Sequence, residues 1–226
     1  MWKRENGILL SEKLLEFSLV GAEWVLWLLI ALSALSIAVM VDRLILYATT
    51  RERIASFVST MTDALRRGDF REARDVCTGN SLVRRTLSAG LELLAEGGVD
   101  RGQVQQAMIG ALARQRARYD ARLTVLGTIG NNAPFVGLFG TVLGIIQAFH
   151  ELGQSGPESG ASNQLLMAAI GEALVATGVG ILVAIPAVAA FNAAKSHVAG
   201  RIRQAESLMG SVLAGLGENP TDGEEV

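Results

Sequence analysis

Glu172 is the residue in this chain whose type and placement most clearly call for chemistry. It is the only charge in the run LLMAAIGEALVATGVGILVAIPAVAAFNAA, Leu165 to Ala194. As a helix that run would be roughly 45 Å long, at about 1.5 Å per residue. A bilayer core is about 30 Å thick, so the run is long enough to cross it. A carboxylate at that depth costs about 2.5 kcal/mol or more. Between Leu123 and Ala194 there is no Lys or Arg to neutralise it. Glu172 is therefore expected to be protonated, or to meet water or a polar group on another chain. Intramembrane acids commonly mark proton paths, which favours a proton-binding role over a fixed charge. The structural alternative is a protonated Glu hydrogen-bonding a neighbouring helix. Thr177 lies five residues on, roughly 140° around a helix, so the two cannot share one narrow stripe.

An earlier uncharged run, Leu123 to Phe149, holds hydroxyls and amides: Thr128, Asn131, Asn132, Thr141 and Gln147. In lipid such groups need partners. From the residues alone, the hydroxyls of Thr141 and Thr177 are expected to bond a carbonyl of their own helix. Asn131 and Asn132 either hold water in a pore or cap across helices. Gly137, Gly140 and Gly144, with Ala133, recur at spacings that let helices approach closely. A single copy is expected not to bury the polar and glycine-rich faces of the second and third spans, so the working unit is expected to be a ring. Pro134 should kink its helix unless neighbours compensate. Pro186 reads as a kink or packing feature. His150, just past a span, reads as an interfacial residue.

Composition narrows the function. Half the residues are hydrophobic and the mean hydropathy is +0.36, which points to a membrane protein. The formal charge of −2 gives no hint of nucleic acid. One cysteine, Cys77, excludes an internal disulfide and a cysteine metal cage, and it reads as a small buried hydrophobe. The sequence shows no metal-ligand spacing, phosphate-binding glycine loop or nucleophile motif. No enzyme, metal or cofactor is expected.

Residues 1–22 interleave Ile8, Leu14, Leu15, Phe17 and Leu19 with charge, as an amphipathic helix on the membrane surface would. Eighteen uncharged residues follow between Glu23 and Asp42, long for a signal peptide and long enough to span. Trp24, Trp27 and Tyr47 suit the interfaces. A polar insert, 42–122, carries fourteen Arg against ten Asp and Glu, with a helical pattern throughout. Gly68 should end a helix starting near Leu46. Asp69 with Glu72, and Asp100 with Gln103, suit capping boxes. Asn80-Ser81 and Gly97-Gly98 read as breaks. Val104, Met108, Leu112, Tyr119, Leu123 and Leu126 keep one apolar stripe, so this helix should run directly into the second span. Arg114, Arg116, Arg118 and Arg122 read as a cytoplasmic rim contacting acidic lipid headgroups.

Basic residues set the orientation. The first span is undecided by itself. Four Arg precede the second span, none lies in 150–163, and Lys195, Arg201 and Arg203 follow the third. The insert and C-terminus should then face the cytoplasm, and the N-terminus the periplasm. The fold class expected is all-α: an integral membrane protein with three transmembrane helices whose long helices extend into a cytoplasmic helical domain. Its parts are a periplasmic segment 1–22, a first transmembrane helix 23–45 and a cytoplasmic helical domain 46–122. A second transmembrane helix 123–149, a periplasmic loop 150–163 and a third transmembrane helix 164–194 follow. Residues 195–226 form a cytoplasmic helix, continuing to about Leu216, and an acidic tail.

Two stretches carry a family resemblance. APFVGLFGTVLGI (133–145) resembles the second-span signature APFVGLFGTVWGI of the ExbB/TolQ/MotA family, with Leu143 for the usual Trp. IGEALVATGVGILVAIPAVAAFN (170–192) resembles its third-span signature IAEALxATAIGLxAAIPAVxxYN. The likeness is closest to the ExbB and TolQ branches, strong over 123–195 and only architectural elsewhere. Gly171 for Ala, Phe191 for Tyr and Ala168 for Pro depart from the pattern, and none touches Glu172, Thr141 or Thr177. The resemblance implies a proton-channel subunit of a bacterial inner-membrane motor driven by the proton-motive force. It implies a homopentamer around a single-span ExbD/TolR-type partner whose span carries an aspartate. Motion would pass to the periplasm through a TonB- or TolA-type protein, for TonB-dependent uptake or the Tol-Pal system. Thr141 and Thr177 match the family's pore threonines and join Glu172 on the implied proton pathway.

Rival readings are a gliding- or flagellar-type stator of the same family, and a membrane scaffold that conducts no protons. The flagellar branch usually has four spans and a larger insert. A scaffold would leave the unneutralised glutamate without explanation. A small-molecule carrier would need more spans, often as inverted repeats, and the sequence has no internal repeat.

Overall fold

The structure is a computed structural model that describes residues 23–50, 54–154 and 160–216. The expected surface helix over 1–22 and the acidic tail after 216 lie outside the described residues. Seven helices account for nearly all the rest: α1 (Glu23–Thr49), α2 (Ile54–Arg66), α3 (Phe70–Val76), α4 (Leu82–Glu96), α5 (Arg101–Asp120), α6 (Leu123–Gln154) and α7 (Gly160–Gly215). Among the described residues there is no strand. Three stretches, carried by α1, α6 and α7, are long and apolar enough to cross a membrane. The chain is an all-α integral membrane protein. Its described residues divide into two compact units, one of those up to Val41 with those of Thr124–Phe191, the other of those of Asp42–Leu123 with those from Asn192 on.

In the first unit, Val25 and Leu29 of α1 pack with Ile129, Ala133 and Leu143 of α6 and with Val183, Ala184 and Ala187 of α7. Small side chains on the last two helices make the approach close. A Cβ on Gly137 would lie 2.6 Å from the Ala176 carbonyl oxygen, and one on Gly144 would lie 2.7 Å from the Ala173 Cβ. One on Gly140 would meet both the Ala176 Cβ at 2.9 Å and Val25 Cγ1 at 3.0 Å. Gly137, Gly140 and Gly144 are thus covered by the chain's own helices. This corrects the expectation for the glycine-rich faces and removes them as an argument for a ring, while Asn131, Asn132 and Glu172 stay exposed. The outer faces carry exposed Phe135, Leu138, Phe139, Leu174, Leu182 and Ile185. Both prolines lie inside continuous helices, Pro134 in α6 and Pro186 in α7.

In the second unit, α2 to α5 pack in succession on Met61, Leu82, Leu87, Leu91, Val104 and Met108, all buried. Gly68, at φ 70°, closes α2 in a Schellman arrangement: its N–H donates to the Leu65 carbonyl and the Asp69 N–H to the Ala64 carbonyl. This helix starts at Ile54, after α1 has ended at Thr49, and not near Leu46 as expected. Asp69 caps α3, but only half the expected box forms. Its N–H is taken by Ala64, and the Glu72 carboxylate pairs with Arg67 at 2.7 Å. Asp100 and Gln103 make both halves of theirs. The later part of α7 belongs to this unit, burying Val198, Ala205, Leu208, Met209 and Val212 at helical spacing.

One expectation fails at the end of α5. The helix stops at Asp120, Arg122 takes φ 62°, and α6 starts afresh at Leu123. A left-handed residue with a Cβ costs about 1–2 kcal/mol. Ion pairs hold the break: Arg122 Nη1 reaches Asp42 at 2.8 Å and Lys195 Nζ reaches Asp120 at 2.9 Å. Periodicity could not reveal this, because Tyr119 and Leu123 are both buried and the stripe continues across the break. Nearby, the buried Arg43 donates to Asp42 and to the Arg118 carbonyl oxygen. Tyr47 stacks between Tyr119, ring centroids 5.9 Å apart, and His197, at 4.9 Å. Beyond the apolar run ending at Ala194, burial and secondarily Arg201 hold the His197 pKa below its ordinary value. The helix before the 150–163 loop runs on to Gln154, and the next begins at Gly160, so most of that segment is helical.

Candidate functional site

The inward face of α7 is built from Ala173, Ala176, Gly180, Val183, Ala184 and Ala187, buried at spacings of three and four. Glu172 precedes Ala173 and is turned out of that face. Its side chain is exposed and makes no hydrogen bond or ion pair with the described residues. Cβ atoms added to Gly171 and Gly178, on the side of α7 opposite its buried face and roughly 100–120° around the helix from Glu172, would meet nothing within 4 Å. Glu172 is thus exposed at the edge of the buried face, beside Ala173. Ala173, its neighbour, is the residue that lies against Gly144 of α6.

The two threonines part company. Thr141 is buried, and its hydroxyl donates to the Leu138 carbonyl oxygen of its own helix at 2.6 Å. This is the local bond expected of a membrane threonine, made one residue closer than the i−4 position. The Thr177 hydroxyl oxygen is buried with no hydrogen-bond partner among the described residues. Its backbone sits where α6 and α7 approach most closely, the Thr177 Cα lying 3.0 Å from where a Gly137 Cβ would be. An unsatisfied buried hydroxyl carries a penalty of about 1–3 kcal/mol. Ser36 of α1 is a second such group, 2 % exposed with an unpartnered hydroxyl, and is not among the candidates above. Its only sequence signal is a serine inside an apolar run.

Asn131 and Asn132 are exposed on α6. Asn132 donates from its amide nitrogen to the Thr128 carbonyl oxygen at 2.8 Å, a bond within its own helix. The structure therefore brings together Gly137 with Thr177, and Gly144 with the residue beside Glu172, at one helix crossing. It leaves Glu172, Asn131 and Asn132 on outer faces. Among the described residues no group of His, Cys, Asp or Glu is arranged to hold a metal ion.

Comparison with known proteins agrees with this architecture. Residues 78–207 match the MotA/TolQ/ExbB proton channel family. The biopolymer transport protein ExbB of Neisseria gonorrhoeae is 51% identical over 82 residues, 36% of this chain and 36% of that protein. ExbB of Xanthomonas campestris pv. campestris is 44% identical over 89 residues, 39% of this chain and 34% of that protein. The Tol-Pal system protein TolQ of Pseudomonas aeruginosa is 36% identical over 131 residues, 54% of this chain and 55% of that protein. The chain thus spans between about a third and just over half the length of these relatives. The family match covers more than half the chain and includes both signature spans. With three membrane-crossing helices and an intramembrane glutamate in the third, the chain belongs to the MotA/TolQ/ExbB proton channel family.

Proposed function

We propose that this protein is an ExbB/TolQ-type subunit of an inner-membrane motor driven by the proton-motive force. Copies of it form a homopentameric ring around an ExbD/TolR-type single-span partner. The ring passes energy to the periplasm through a TonB- or TolA-type protein. The N-terminus is periplasmic and the 42–122 insert and C-terminus are cytoplasmic, in keeping with the Arg and Lys distribution.

The observation that carries this reading is the outward placement of Glu172. A carboxyl group exposed on the flank of a membrane helix, far in sequence from any basic residue, is unstable facing lipid. It becomes tolerable when another chain supplies a polar surface or water, which is what a neighbouring copy or a partner helix does. Thr177, whose buried hydroxyl is unused, supports a polar path on the same helix. In this reading Glu172 takes up and releases a proton as the partner moves past. Thr177 and Thr141 line the route, Thr141 after rotating away from Leu138. Pro134, Gly137, Gly140, Gly144 and Pro186 shape the helices that hold them.

The test is Glu172→Gln, which keeps the shape and most hydrogen-bonding capacity but cannot exchange a proton. It is expected to co-purify with the single-span partner while proton flux into liposomes is lost. A variant that assembles and conducts like the wild type refutes the proton-carrying role.

A further inference from the structure

The second unit contains a cavity of about 760 Å³ that the membrane-embedded residues do not explain. It lies between the end of α3 and the facing surfaces of α4 and α5. Arg85 and Ser88 on α4, and Ala111, Arg114 and Gln115 on α5, reach it from helical spacings of three and four. Its floor is made of small groups, the buried Cys77 and Ala111, which is why there is space.

We propose that this cavity binds a small hydroxylated phosphate ester. Arginines come from three elements, and they are not equivalent. Arg74 is neutralised by Asp75, at 3.0 Å. Arg85 donates from Nε and Nη2 to the Asn80 side-chain oxygen, a neutral acceptor, so its charge is uncompensated and Nη1 is left over. Arg114 has no hydrogen bond or ion pair among the described residues. Two guanidinium forks held on facing helices match a phosphate group, to which arginine binds through paired donors.

Gln115 adds the second half. Its side-chain oxygen is buried without a partner, and such groups are rare unless something outside the protein satisfies them. Gln115 lines the cavity, and a turn about the last torsions of its side chain brings that oxygen to a ligand hydroxyl. Glu92, exposed at the rim, offers a second acceptor for hydroxyls. The volume falls within the usual 300–1,000 Å³ or so of small-molecule sites. No aromatic side chain lines the cavity, so a nucleobase would have no ring to stack on. A polyol phosphate fits, whether free in the cytoplasm or as the headgroup of a phospholipid such as phosphatidylglycerol.

The experiment uses the full chain and reads the reaction of Cys77 with a small maleimide, slow because the thiol is buried. Glycerol 3-phosphate is titrated against protein in neutral detergent. In parallel, the protein is placed in nanodiscs of phosphatidylcholine with or without phosphatidylglycerol. Saturable slowing of labelling, at least threefold, is expected in one arm, and the arm that responds assigns the source. Arg85→Gln with Arg114→Gln should abolish the protection, with helix content by circular dichroism unchanged. Arg116→Gln, off the cavity, should leave it intact. Absence of protection in both arms, or equal loss in Arg116→Gln, overturns the proposal. If the double variant loses helix content, Arg85→Lys with Arg114→Lys decides instead: unchanged protection overturns the paired-donor geometry, and weakened protection supports it.

Discussion

Gly137 of α6 and Gly180 of α7 face each other so closely that neither can carry a side chain. A Cβ on Gly137 would lie 3.2 Å from the Gly180 Cα, and one on Gly180 would lie 3.1 Å from the Gly137 Cα and 2.6 Å from the Ala133 carbonyl oxygen. The obstructing atoms are backbone, so no rotamer change relieves the clash. Overpacking of this kind costs about 1–3 kcal/mol, partly offset by the roughly 1 kcal/mol that Ala gains over Gly in a helix. Gly137→Ala and Gly180→Ala should each lower the thermal midpoint in detergent, and Gly178→Ala, which faces open space, should not. Equal midpoints for all three would mean that the crossing is looser than described.

The threonines should respond oppositely to removal of the hydroxyl. Thr141→Val gives up its bond to Leu138 and should lose about 0.5–1 kcal/mol. Thr177→Val removes an unsatisfied group and should hold or gain about 1 kcal/mol. On the proposed proton path, Thr177→Val should nonetheless reduce proton flux in the assembled complex. Undiminished flux would confine Thr177 to a structural role.

Arg122 combines a left-handed backbone with an ion pair to Asp42. Arg122→Gly should be more stable than Arg122→Ala by about 1 kcal/mol, because glycine adopts that conformation without the Cβ penalty. The comparison, by chemical or thermal unfolding, holds the loss of the ion pair constant. The reverse order would show that α5 and α6 join without a left-handed residue.

Orientation is testable with single cysteines in a Cys77→Ala background. Gly153→Cys should react with a membrane-impermeant maleimide applied from the periplasmic side, and Gln105→Cys only after the membrane is opened. The opposite pattern would invert the proposed topology.

Glu172→Asp complements the glutamine variant. It keeps an exchangeable proton but shortens the side chain by one methylene, and displacements of about 1 Å cost on the order of a hundredfold where geometry matters. It should assemble and conduct slowly, in contrast to the silent glutamine variant. Equal silence in both would point to a structural carboxyl rather than a carrier.

By itself the sequence determined what solvent preference and local chemistry determine. Uncharged runs long enough to cross a bilayer can satisfy their backbone only as helices, so three spans and an all-α fold follow from composition and length. Asp100 with Gln103, Ser81 and Gly68 marked helix ends through bonds made within a few residues, and those bonds form. Glu172 stood out because a lone charge in an apolar run is costly to place in a bilayer.

The tertiary structure decided what depends on residues distant in the chain. The break at Arg122 is held by Asp42, eighty positions earlier, and no local pattern could announce it. The small residues of α6 could have faced another copy or α7. They face α7 because Ala173, Ala176 and Gly180 supply a matching low ridge on it, a pairing visible only once both helices are placed. The difference between Thr141 and Thr177 came from the same source. Both had a carbonyl of their own helix within reach, and only the folded surroundings settled which hydroxyl uses one.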